Sequence, residues 1–184
     1  NDINQSEQGG KETSTKCGAE RRLQRRPGFI VAADDENGRP NAMNAAWGGS
    51  HTDDMVGICL SEGHKTTQNS LVTKAFTVSM ATEEFLTACD YVGLVSGNEV
   101  PDKVARAGFH TVRSAFVNAP LIEELPLTLE CEFVSYDRES NHLVGRIVNV
   151  SADASVLDGG GWIDPARLQP GDCDPIHVRI RPGV

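Results

Sequence analysis

The chain has 184 residues, 39% of them apolar, with 26 acids against 17 bases for a net charge of −9. That length supports one domain with a substantial core and leaves too little for a second. The acidic balance argues against nucleic acid or an anionic membrane as the main partner, since both need a basic face, and no apolar run approaches the ~18 residues of a membrane span.

Residues 1–26 are polar, carry an arginine cluster (Arg21, Arg22, Arg25, Arg26) and show no strand or helix period. They read as a mobile arm ahead of a domain over residues 27–184. No secretory pattern opens the chain, and the expected compartment is the cytoplasm. Phe29 to Ala33 reads as a strand, followed by a turn ending in the hairpin signal Asn37-Gly38 and a second strand from about Asn41 to Trp47. Met55 to Leu60 is the third strand, with Gly57 and Cys59 leaving one face open. A short helix is expected from Lys65 to Val72, placed by the polar turn before it rather than by apolar patterning. Ala75 to Met80 is a strand. Thr82 is expected to cap a helix running to about Val92, with Glu83 and Glu84 in its first turn. A second short helix spans Asp102 to Ala107, ended by Gly108. Leu125, Leu127, Leu129, Cys131 and Phe133 alternate with Thr128, Glu130 and Glu132, which predicts an amphipathic strand with one buried face. A turn at Asp137 to Asn141 returns the chain into a partner strand from Leu143 to Ala152. From Asp158 onward Gly, Pro and Asp predict loop, with one helical turn near Pro165.

The turn SEGHKTTQN (61–69) carries the densest chemistry. It places Ser61, His64, Lys65, Thr66 and Thr67 where a helix begins, and helix N-termini offer unpaired N–H groups and partial positive charge. It reads as a phosphate seat; the plainer alternative is a capped surface helix. Beside it the small residues Asn44, Ala45 and Ala46 end in Trp47, so a flat ring can approach the backbone. A phosphate seat next to such an edge suggests flavin mononucleotide (FMN). Trp47 alone reads equally as a core or interface aromatic.

Other chemistries find no support. The five cysteines are scattered without a CxxC pair, and Cys59 and Cys131 lie in apolar strand patterns that suggest core thiols. The five histidines lack metal-ligand spacing. Ser50 and His51 are neighbours in an extended segment and point to opposite faces, and no GxSxG elbow exists. No GxGxxG or P-loop is present, so a nicotinamide would bind without a Rossmann domain.

Mostly hairpin connections with short inserted helices point to a mainly β fold, a closed antiparallel barrel rather than a doubly wound sheet. PNAMNAAW, MVGICLSEGHKTTQNS, FTVSM, CDYVGLVSG with Asp102-Lys103, and APLIEELPLTLECEF together resemble the flavin reductase-like family, over about residues 29–170 and in the same order. The resemblance implies a split antiparallel Greek-key β-barrel that binds FMN non-covalently as a homodimer, in a groove near the subunit interface. It places Asn44, Ala45, Ala46 and Trp47 at the isoalloxazine and ribityl chain, and Ser61, His64, Lys65, Thr66 and Thr67 around the ribityl and phosphate. Ser79 stands where the family often has asparagine, and Tyr91, Ser96 and Lys103 border the pocket. After Asp174-Pro175 the chain reads IHVRIRPGV, where the family has a tyrosine- and glycine-bearing tail, and the polar arm is extra.

The activity implied is hydride transfer from NAD(P)H to flavin N5 and electron delivery to an acceptor, a redox protein among the candidates. The flavin performs that chemistry, so no acid–base pair need stand in the sequence. Two alternatives remain: a flavoredoxin-like electron carrier without nicotinamide turnover, and a cofactor-free barrel acting as a binding module.

Overall fold

Residues 28–169 are described by the computed structural model of the chain; the expected arm, Cys17, Cys173 and the departure after Asp174-Pro175 lie outside them. β1 (Phe29–Asp34) and β2 (Pro40–Ala45) form the first hairpin. Asp35 Oδ1 accepts the N–H groups of Asn37 and Arg39 at 2.9 Å each, and Gly38 takes the positive φ of 76° that the turn requires. β3 (Gly48–Thr52), β4 (Met55–Cys59), α1 (Lys65–Thr73) and β5 (Ala75–Met80) follow. Next come α2 (Leu86–Leu94), α3 (Lys103–Arg106) and a short ribbon of β6 (Thr111–Arg113) with β7 (Pro120–Ile122). The long hairpin β8 (Leu127–Asp137) and β9 (His142–Ala152) and the short α4 (Pro165–Leu168) complete the described chain.

Seven strands make one antiparallel sheet in the order β2-β1-β5-β8-β9-β4-β3. Its two edges, β2 and β3, are consecutive in the chain, so the sheet curls round until they meet at Ala46-Trp47 while its ladder stays open there. The architecture is a split barrel, mainly β with few short helices. Phe29, Val31, Met43, Ile58, Phe76, Val78, Leu127 and Leu143 fill the barrel interior. Ile30, Ala32 and Ala42 face the other way, onto Cys89, Val92 and Val104 of α2 and α3. β1 is therefore buried on both faces, which is why it reads as an unbroken apolar run.

Four expectations need correction. β3 was not foreseen: GGSHT lacks the usual strand-forming residues apart from Thr52, and it becomes a strand because β4 pairs with it, Gly49 opposite Gly57 and Ser50 opposite Val56. α2 starts at Leu86, later than the expected Thr82 cap, because the Glu83 N–H bonds to the distant Gln169 carbonyl (3.2 Å) and Phe85 takes the N-cap position without a side-chain bond. Cys59 is exposed, since Val56 and Ile58 hold the core face of β4. Finally, the polar face of β8 is buried at Thr128 and Glu130 and reaches solvent at Glu132. Glu130 is 0% exposed, Thr128 and its neighbours Thr77 and Ser79 are buried, and the unforeseen β6–β7 ribbon joins the cover through the bond from Thr77 Oγ1 to Pro120 O (2.7 Å).

Candidate functional site

α1 meets the barrel through a polar face. Thr66, Thr67, Asn69 and Ser70 are buried, with Thr66 Oγ1 donating to Asn41 Oδ1 (2.9 Å) and Asn69 Nδ2 to Ala33 O (3.1 Å). These bonds anchor the helix where apolar contacts would normally do so, and they explain its weak apolar pattern. Thr67 Oγ1 is buried without a hydrogen-bond partner among the described residues.

The N-terminus of α1 is left open. His64 is the N-cap in extended conformation and makes no side-chain cap bond. Its own N–H bonds to Ser61 O (3.1 Å) and its carbonyl takes Gln68 N–H (3.1 Å). The N–H groups of Lys65, Thr66 and Thr67 have no acceptor within the helix, as at any helix start. Residues 61–64 are braced from several sides. Ser61 Oγ accepts the Gly63 N–H (3.3 Å), Asn98 Nδ2 donates to Gly63 O (2.9 Å), and Arg138 grips the Glu62 carboxylate through Nε and Nη2 at 3.0–3.1 Å. That guanidinium holds the Glu62 carboxyl below its ordinary range.

Clefts lie on both sides of this turn. One, of about 580 Å³, is lined by Trp47, Cys59, Ser61, Ser140 and Asn141. It continues past Trp47 and Cys59 into a hollow of about 420 Å³ at Gly49, Gly57, His51 and His142, whose imidazoles are 5.5 Å apart. The other cleft, about 230 Å³, gathers Asp35, Arg39, Asn41, Lys65 and Asn98. There the Asp35 carboxyl is held low, first by the Arg39 N–H and further by the Arg39 and Lys65 charges.

The sequence-predicted residues divide into two groups. Trp47, 40% exposed, and Ser61 share the large cleft, while exposed His64 and half-buried Lys65 stand at the turn and Ala46 is exposed beside Trp47. The rest present no free side chain there. Asn44 lies against Gly93 of α2, and Ala45 packs in the barrel core. The Thr66 and Thr67 side chains are buried. Ser79 is fully buried and bonded to Thr128 Oγ1 at 2.8 Å. Tyr91 packs on the α2 side of the sheet, and Ser96 Oγ accepts the Asn98 N–H at 3.3 Å. Lys103 is 3% exposed and spends its ammonium on Val92 O (2.8 Å) and Val95 O (2.7 Å); burial pushes its pKa down to about 8. Sequence reasoning missed Arg39, Asn98 and Asn141 in turns and Asn41 at the start of β2, polar residues whose only signal is their place in the fold.

The residues present fit a phosphorylated flavin at backbone level. An open helix start next to an ammonium suits a phosphate, and a cleft of about 580 Å³ is within the range of cofactor sites. The inward threonine hydroxyls take no part in that fit.

Residues 22–165 match the family described as Flavin reductase like domain. Flavoredoxin of Desulfovibrio vulgaris (Miyazaki F) superposes with a TM-score of 0.77 at 26% identity, over 92% of this chain and 97% of that one. An FMN-binding domain of a flavin reductases-like enzyme from Shewanella baltica OS155 gives 0.71 at 19%, over 88% and 90%, a likeness of fold alone. An uncharacterized protein of Aquifex aeolicus (strain VF5) is 31% identical over 110 residues, 57% of this chain and 54% of the relative. The chain spans about half the length of the curated relatives it matches. It belongs to the flavin reductase-like family.

Proposed function

We propose that this member of the flavin reductase-like family binds FMN non-covalently and acts as an oxidoreductase between NAD(P)H and an electron acceptor. The observation that carries the reading is the uncapped start of α1 beside Lys65, opening at Ser61 onto the cleft of Trp47, Cys59 and Asn141. Bound FMN would supply the ring that accepts hydride and passes electrons on. The chain's own part is binding and orientation. The first-turn N–H groups and the Lys65 ammonium neutralise the phosphate. Ser61 reaches the ribityl hydroxyls, and Ala45, Ala46 and Trp47 meet the ring largely through their backbone. Trp47 is 40% exposed where it lines the cleft, and a second copy of the chain is the proposed cover.

The direct test is titration of the purified protein with FMN and with riboflavin, which lacks the phosphate. FMN should bind at least tenfold tighter, and Lys65→Ala should remove about 1–2 kcal/mol of that preference, a partly exposed charge pair in a screened setting. Equal affinity for both flavins, or a preference untouched by Lys65→Ala, would defeat the reading. Anaerobic addition of NADH or NADPH to the loaded protein should then bleach the yellow band. The likeness to flavoredoxin over 97% of that chain favours a second reading, an electron carrier. A loaded protein that neither nicotinamide bleaches would select it.

A further inference from the structure

The loop over residues 96–101, which already braces the phosphate turn through Asn98, reaches it by two routes. Asn98 Nδ2 donates to Gly63 O at 2.9 Å, across 35 positions of chain. One residue earlier, Gly97 lies flat against the Asn41 side-chain amide, so close that a Cβ at position 97 would overlap it. Asn41 is 3% exposed and cannot swing clear, because its Oδ1 takes the Thr66 hydroxyl at 2.9 Å. The loop thus holds the turn at Gly63 and, through Asn41, at the first turn of α1.

The loop is itself secured at both ends. Ser96 O accepts the N–H groups of Glu99 (3.2 Å) and Val100 (2.9 Å), and Ser96 Oγ accepts that of Asn98 (3.3 Å). From α3, Lys103 sends its buried ammonium back to Val92 O and Val95 O at the end of α2. A cation at a helix C-terminus satisfies carbonyls that have no other helical donor. α2, the loop and α3 therefore form one braced unit.

We propose that the 96–101 loop is a clasp that sets the shape of the anion-binding turn, with Asn98 as its grip and Lys103 as its anchor, both positioning residues. The carbonyl of Gly63 and the N–H of His64 belong to one rigid peptide plane. Holding that carbonyl fixes the entry of the chain into α1, and with it the direction of the N–H groups that follow. A site ordered before the ligand arrives loses less entropy on binding. The consequence for flavin rests on the phosphate reading above; the mechanical coupling does not.

The test separates the two. Amide hydrogen exchange is measured on the flavin-free protein and on Asn98→Ala, and affinities are measured for FMN and riboflavin. Asn98 is exposed, so its truncation leaves the cores intact. Asn98→Ala should speed exchange at residues 63–67 about tenfold, leave β5 and β8 unchanged, weaken FMN about five- to tenfold and leave riboflavin alone. Lys103→Met should act in the same direction, with Lys103→Arg restoring most of the effect. Unchanged exchange at residues 63–67 in Asn98→Ala overturns the clasp, whatever the flavin result. Faster exchange in a protein whose wild type holds both flavins equally overturns the phosphate reading, and the clasp as a device for binding falls with it.

Discussion

Replacing Glu130 by glutamine probes the buried polar layer at its most constrained point. Ser114 Oγ accepts the N–H groups of Phe116 and Val117 at 2.9 Å each, which fills both lone pairs of the hydroxyl. Its proton must therefore point outward, and Glu130 Oε2 receives it. Glu130 Oε1 accepts from Asn149 Nδ2 (2.6 Å) and Ser151 Oγ (2.5 Å). Both oxygens are needed as acceptors. Glutamine offers one oxygen and one NH₂. Its NH₂ cannot face Ser114, whose hydroxyl has no lone pair left. With its oxygen on Ser114, it forces the Asn149 amide to turn over and the Ser151 hydroxyl to accept. Asn149 and Ser151 are half-buried and can turn to water, whereas Ser114, 7% exposed, cannot do so without releasing two backbone N–H groups. With the glutamine oxygen kept on Ser114, the bonds rearranged or lost at Asn149 and Ser151 cost about 1–2 kcal/mol. Glu130→Ala, which adds a cavity, should cost about 3–4 kcal/mol. Urea unfolding at neutral pH reads both. In a Ser114→Ala background the glutamine should cost about 1 kcal/mol less, because the demanding donor is gone. A glutamine variant within about 0.5 kcal/mol of wild type would refute the claim that two acceptors are required here.

Two further outcomes can be checked without flavin chemistry. Cys59 is exposed, while Cys89 and Cys131 are fully buried and burial raises their thiols to about 11 and about 12. A thiol-reactive disulfide should label Cys59 first of these three, and bound FMN should slow it; peptide mass mapping showing Cys131 modified as fast would contradict the described packing. His110 Nδ1 lies 2.6 Å from Glu124 Oε1 on the exposed surface of the ribbon. The Glu124 carboxylate raises the imidazole pKa through hydrogen bond and charge, and although burial works upward on Glu124, the His110 ring and N–H bring its pKa below the usual value. The raised histidine contributes below its unfolded value of 6.5 and loses that contribution as pH rises through its folded value. The lowered glutamate loses its own contribution as pH falls through its folded value. His110→Gln should therefore lower Tm most near about pH 5.5 and little above about pH 8.5. An equal loss at both would rule the pair out as the cause.

Where local chemistry and tertiary packing agree, the chain was legible. Asn37-Gly38 placed the first hairpin, and the residues from Ala75 to Met80 read as the strand they form. The helix after residue 64 is legible mainly from the turn before it, because a helix start has a chemistry even when its apolar pattern is weak. The direction of its side chains was not legible. Thr66 and Thr67 look like phosphate ligands on residue type, but α1 packs on β1 and β2 through that face, so their hydroxyls point inward. Residue type gives chemistry, and azimuth decides what the chemistry is used for. Lys103 makes the same point. Its residue type at a helix start reads as a solvated surface charge, and the family resemblance places it at the pocket border. The approach of α3 to the end of α2 instead buries its ammonium on two carbonyls. Glu130 reads as the wet face of a strand until a ribbon distant in sequence closes over it.

The polar underside of α1 and its open start are two results of one arrangement. A helix held by apolar contacts can spare a Ser, Thr, Asp or Asn to cap itself, and that cap would occupy the same N–H groups a phosphate needs. Here the hydroxyl and amide groups of Thr66 and Asn69 are committed sideways, to Asn41 and Ala33, and His64 makes no cap bond. The helix keeps its position through those lateral bonds while its positive end stays unspent. Asn41 is the pivot, because the same amide that receives Thr66 also lies under Gly97. Anchoring the helix and shaping its mouth are thus performed by one buried residue, which ties the proposed phosphate seat to the barrel wall rather than to a free loop.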